Sequence, residues 1–171
     1  TLKSMTDSLG AAEYVSGVVA SSASGLQMLL PAIIFIVAAL LAFATGTSWG
    51  TFGILIPICI AVFPAAAPLR IISISACMAG AVCGDHISPI SDTTIMTSAG
   101  AECKHVHHVS SQLPYALTVA AVSFLTFIVA GFTQQLGVVA SAAISWIFGI
   151  AMIFSALWIL KRISYKKSLR Q

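Results

Sequence analysis

The chain has 171 residues, of which 58% are hydrophobic and 8% charged, with a formal net charge of +3 and a mean hydropathy of +1.01. Soluble domains carry roughly 25% charged residues, so this composition excludes an ordinary water-soluble globule and points to a chain embedded in a lipid bilayer. The positive balance is no nucleic-acid signature: Lys161, Arg162, Lys166, Lys167 and Arg170, five of the eight Lys and Arg residues, crowd the end of the chain after an apolar run, where a membrane-flanking cluster belongs.

No Asp, Glu, Lys or Arg occurs from Tyr14 to Leu69 or from His105 to Leu160, and each stretch has room for two helices of about 20 residues. Residues 1–25 are mixed, with Thr6 or Asp7 as helix N-caps and a Ser/Gly-rich break from Ser21 to Gly25. No basic segment followed by a cleavage site opens the chain, so no signal peptide is read, and a carboxyl-terminal piece of a longer protein is expected.

A strongly apolar helix is predicted from Gln27 to Ala44, opened by Pro31 in its first turn. It stops at Thr45-Gly46-Thr47-Ser48-Trp49-Gly50-Thr51, where two glycines and four hydroxyl residues suit an unwound point inside a membrane. A second apolar helix follows from Phe52 to Phe63, before the turn from Pro64 to Pro68. The two arms together span about 37 residues, roughly 55 Å if fully helical against about 30 Å for one crossing, which favours a re-entrant hairpin over 27–63.

Residues 71–100 read as a broken helix. Ile71 to Cys83 is apolar with small residues that let neighbours approach, Gly84 to Thr94 is a polar interruption, and Thr93 to Gly100 forms a short second arm. Pro89 lacks an amide donor and disfavours a helical conformation at Ser88. Ala101 to Gln112 reads as a polar loop with His105, His107 and His108, a candidate pH sensor. Residues 113–160 hold two further helices, Leu113 to Phe132 and Val138 to Leu160, joined by a turn at Thr133-Gln134-Gln135. The basic tail, 161–171, is expected in the cytoplasm by the positive-inside rule, which places the His-rich loop inside and the Pro64 to Arg70 connection outside.

The candidate site lies in the interruption. Asp85 and Asp92 sit seven residues apart among Ser88, Ser91, Thr93 and Thr94, and an ionised Asp at bilayer depth costs at least about 2.5–3.5 kcal/mol, so it has a partner or a job. Sodium is a hard cation that prefers oxygen ligands, and a broken helix gathers carboxylates, hydroxyls and unpaired carbonyls in one place. Asp85 or Asp92 is therefore the candidate sodium ligand and exchanging carboxylate. Ser88, Ser91, Thr93 and Thr94 are the oxygen donors, and His86, Thr45, Thr47, Ser48 and Thr51 give support from the same helix and from across a cavity. The plainer readings are an N-cap role for Asp92 on the arm starting at Thr93, and for Asp85 a polar helix end or a pairing with His86. Cys59, Cys77, Cys83 and Cys103 show no CxxC pair or zinc spacing and read as small buried hydrophobes.

The phrases FATGTSWGTFGILIPI (Phe43 to Ile58), GDHISPISDTTI (Gly84 to Ile95) and HVSSQLPYAL (His108 to Leu117) resemble the carboxyl-terminal region of NhaC-type sodium/proton antiporters. The resemblance runs from about Leu9 to Leu117, and the last two helices share only hydrophobic character. It implies an all-α polytopic membrane protein of the ion-transporter superfamily: a re-entrant hairpin and a broken transmembrane helix forming one half of an inverted-repeat transporter in the cell membrane. The implied activity is secondary active transport by sodium/proton antiport, with no cofactor beyond the transported ions. The implied partners are the lipid bilayer, sodium, protons and the amino-terminal half of the same transporter, with a homo-oligomer among the allowed assemblies. One alternative is a sodium- or proton-coupled exchanger of small carboxylates. Another is an intramembrane metal-dependent enzyme using Asp85, His86 and Asp92, weakened by the lack of a ligand spacing such as HExxH.

Overall fold

The computed structural model describes residues 4, 5, 8–11, 13–15, 17 and 24–168. The caps expected at Thr6 or Asp7 lie outside the described residues, as does Arg170. Among the described residues the secondary structure is helical throughout, in six principal helices with one short 3-10 turn.

Helix α1 (Ser24–Thr45) packs against the helices that begin at Ser48, Pro68 and His105. It begins earlier than the sequence suggested, so Pro31 lies inside it and not in its first turn. A proline there removes one intrahelical hydrogen bond, a loss that buried, closely packed membrane helices tolerate. Gly46 then turns the chain at φ 69°, a left-handed conformation open to glycine at little cost.

Helix α2 (Ser48–Val62) starts within the heptapeptide, four residues before the expected Phe52. The reason is local: Thr47 takes an extended conformation and its hydroxyl accepts from the amide of Gly50 at 3.4 Å, an N-cap that lets the helix begin at once. The two arms run back along each other as an antiparallel hairpin. A cavity of about 230 Å³ is lined by Leu30, Ile34 and Val37 of α1 together with Val62, Ile58 and Leu55 of α2.

Helix α3 (Pro68–Ile87) opens with a proline at its first position and runs through Gly84, Asp85 and His86. The interruption is therefore only Ser88 to Ser91, shorter than Gly84 to Thr94. Helix α4 (Asp92–Gly100) is the short second arm. Helix α5 (His105–Thr133) starts well before Leu113, so the three histidines belong to its first turn and not to a loop. After the 3-10 turn Gln134–Leu136, helix α6 (Val138–Ser168) carries Lys161, Arg162, Lys166 and Lys167 on a continuous helix.

Packing between the helices depends on small residues, as expected where lipid is as apolar as the side chains and only close fit rewards association. Gly80 and Gly84 of α3 lie one turn apart against the α1 backbone at Phe35 and Ala39, and Gly131 of α5 lies against Met28. A Cβ at any of the three would strike main-chain atoms. Ala38, Ala42, Cys59, Cys77 and Ala81 form a buried cluster among α1, α2 and α3, with Cys59 and Cys77 as reduced, buried thiols. Phe35 of α1 meets Phe127 of α5 with ring centroids 5.6 Å apart. Four of the described helices are long and apolar enough to cross a membrane, corresponding to Gln27–Thr45, Pro68–Ile87, His105–Leu136 and Val138–Arg162. The chain is accordingly a polytopic helical membrane protein.

Candidate functional site

The break between α3 and α4 follows directly from Pro89. The preceding residue, Ser88, is extended at φ −72° and ψ 127°, and its amide reaches only the Asp85 carbonyl at 3.1 Å. This leaves hydroxyls, a carboxylate and main-chain carbonyls concentrated within one turn on either side of the gap.

Asp85 lies in the last turn of α3 with 8% of its surface exposed. Its Oδ1 accepts a hydrogen bond of 2.6 Å from the hydroxyl of Ser91, which lies 2.7 Å from Thr93 Oγ1. With the Ser91 proton directed to the carboxylate, Thr93 donates to Ser91, so the three oxygens form a relay across the break. Ser88 and Ser91 are fully buried and Thr94 nearly so. The Ser88 hydroxyl donates to the Phe43 carbonyl of α1 at 2.8 Å, and Thr94 Oγ1 lies 3.3 Å from the His86 carbonyl.

Asp92 occupies a different environment. It is exposed, stands as the first residue of α4, and accepts from the Thr93 amide at 2.8 Å. The N-cap position belongs to Ser91, not Asp92, although Ser91 makes no side-chain capping bond because its hydroxyl faces Asp85. An anion in a helix's first turn is favourable in its own right.

His86 does not pair with Asp85, because adjacent residues of a helix point in different directions. Its exposed side chain instead lines a cavity of about 480 Å³ with Phe35, Gln112, Tyr115 and Ser123. Gln112 of α5 donates from Nε2 to the His86 carbonyl at 2.9 Å. Among the described residues no three His, Cys, Asp or Glu side chains gather as a metal site.

The hairpin turn reaches the break. A Cβ built on Gly46 would lie 2.9 Å from Ile90 Cγ1 and 3.0 Å from the Ile90 carbonyl oxygen. Of the four supporting hydroxyl residues, Thr45 donates to the Leu41 carbonyl at 2.9 Å and Thr51, fully buried, to Thr47 at 3.1 Å. Thr47 caps α2, and Ser48 is buried beside it. These bonds satisfy the turn's own backbone. The structure thus joins Asp85, Ser91 and Thr93 in one network, turns the Ser88 and Thr94 hydroxyls away to the Phe43 and His86 carbonyls, sets Asp92 and His86 on other faces, and brings the hairpin against the break through Gly46 and Phe43. Phe43, Gln112 and His105 are contributors that the site's polar spacing did not single out.

A buried carboxylate with hydroxyl partners in a broken membrane helix, abutted by a hairpin turn, is the arrangement of a membrane transporter. Residues 1–132 match the Na+/H+ antiporter family. A protein of Haemophilus influenzae without an assigned function is 48% identical over 79% of this chain and 26% of its own length. The malate-2H(+)/Na(+)-lactate antiporter of Bacillus subtilis is 32% identical over 63% of this chain and 24% of its own. The arginine/ornithine antiporter ArcD of Halobacterium salinarum is 31% identical over 66% and 24%. No solved structure matches. The chain belongs to the Na+/H+ antiporter family, a class of transporters and not of enzymes, and spans about a quarter of the length of these relatives.

Proposed function

We propose that this chain is the part of a secondary transporter that carries the coupling carboxylate, and that sodium and a proton compete for Asp85. The observation that carries the reading is the relay from Thr93 through Ser91 to buried Asp85. Sodium arriving at the carboxylate finds the Ser91 hydroxyl oxygen beside it and that of Thr93 next in line across the break, suited to a hard cation. A proton arriving there neutralises the group and removes the main attraction for sodium. Occupancy by one ion excludes the other, and antiport follows when only loaded forms of the protein reorient.

In this reading the α1–α2 hairpin is re-entrant and α3 with α4 forms one interrupted crossing. The rest of the transporter supplies the opposing wall of the cavity, in the cell membrane, with the basic end of α6 in the cytoplasm. Asp92, on the exposed face of α4, is placed to meet that wall. The test is sodium-driven proton movement in vesicles containing the full-length protein that carries this sequence. Simple competition requires the apparent KM for sodium to rise by up to about tenfold for each unit fall in pH while the maximal rate stays level. A sodium KM independent of pH contradicts it.

A second reading is supported by the 480 Å³ cavity beside His86. Tyr115, Gln112 and Ser123 offer hydrogen-bond donors there, and His86 a protonatable one, which suits a small organic anion, as in a relative named for malate and lactate. Counterflow of labelled dicarboxylate in the same vesicles distinguishes it from inorganic exchange alone.

A further inference from the structure

Pro89 has no amide donor, and beside the main-chain bonds from Ser88 to Asp85 at 3.1 Å and from Ser91 to Ser88 at 3.4 Å the break is tethered to neighbouring helices by side chains. Ser88 supplies one tether, to α1. The second comes from His105, the first residue of α5, whose Nε2 lies 2.7 Å from the Pro89 carbonyl oxygen and whose Nδ1 lies 3.1 Å from Ser98 Oγ on α4.

The partners determine where the protons sit. A carbonyl only accepts, so Nε2 carries a hydrogen. Ser98 Oγ also lies 2.8 Å from the Ile95 carbonyl, so its hydroxyl lies between that carbonyl and Nδ1. His107 is exposed, and of the three histidines only His105 joins the break to the far end of α4.

We infer that His105 is a positioning residue for the coupling site: by holding the Pro89 carbonyl against α4 and α5, its ring fixes the course of the break and so the approach of Ser91 to Asp85. This rests on the ion exchange proposed above. The bond acts two residues before Ser91, in a stretch where no helical ladder sets the backbone, and a shift there is transmitted to the 2.6 Å contact with the carboxylate.

Glutamine at 105 extends an amide donor to about the position of Nε2, whereas asparagine reaches only that of Nδ1. Sodium-driven proton flux is therefore compared for the full-length wild type, His105→Ala, His105→Asn and His105→Gln at equal amounts in the membrane. Loss of one hydrogen bond that orders the site predicts about a three- to tenfold rise in the apparent KM for sodium in the Ala and Asn variants, with a maximal rate within about twofold of wild type. The Gln variant returns to within about twofold of the wild-type KM. Where the Ala variant fails to reach the membrane, the Gln and Asn pair gives the answer. Equal KM values in Gln and Asn variants, or an unchanged KM throughout, overturn the inference while leaving ion exchange intact. Absence of flux in wild type overturns the ion-exchange reading and the inference with it.

Discussion

The hydroxyl of Ser88 donates to the carbonyl oxygen of Phe43 at 2.8 Å across 45 positions of sequence. One bond thus ties the break of α3 and α4 to the end of α1 just before the hairpin turns. Ser88→Ala leaves this carbonyl without its donor at a part-buried contact. The expected cost is about 1–3 kcal/mol of stability, read as a lower unfolding midpoint in detergent, with slower exchange although Asp85 remains in place.

Gly46 is the other point of contact between the hairpin and the break. At φ 69° and with Ile90 2.9 Å from a would-be Cβ, Gly46→Ala meets both an unfavourable backbone conformation and a collision. The backbone conformation alone costs roughly 1–2 kcal/mol. Ile90 has to move, and the break with it, so the variant is expected to lower the maximal exchange rate as well as the melting temperature. An Ile90→Ala substitution in the same background clears the Cγ1 contact and is expected to recover part of the loss.

Gly84 lies one residue before Asp85 and rests on the Ala39 main chain. Here the obstacle is backbone, which cannot turn aside as a side chain can. Gly84→Ala is expected to push α3 from α1 and to destabilise the protein by more than the usual small gain from replacing a helical glycine, about 1 kcal/mol, can offset. Ser75→Ala on the exposed face of the same helix is the control and is expected to leave the melting temperature within experimental scatter.

Much of this architecture is legible in the residues. Long uncharged stretches mark the spanning helices, Pro89 dictates an extended Ser88, and Gly46 with its hydroxyl neighbours marks the turn. Helix ends were less legible because they depend on single bonds: Thr47 capping Gly50 starts α2 at Ser48, and nothing in Gly84, Asp85 or His86 forbids the helix that Pro89 later stops. The ranking of Asp85 and Asp92 was not legible at all. Both flank the same break, and their difference in burial arises from where α3 and α4 pack. The roles of Gln112 and His105 likewise depend on α5 crossing the break, a tertiary relationship with no periodic signature.

The most direct measurement is sodium-driven proton flux for Asp85→Asn and Asp92→Asn in the full-length protein at matched amounts in the membrane. Asparagine keeps the shape and an acceptor for Ser91 but neither binds a proton nor attracts sodium by charge. The account predicts exchange abolished by Asp85→Asn and retained, with altered kinetics, in Asp92→Asn. Wild-type exchange in Asp85→Asn would contradict it.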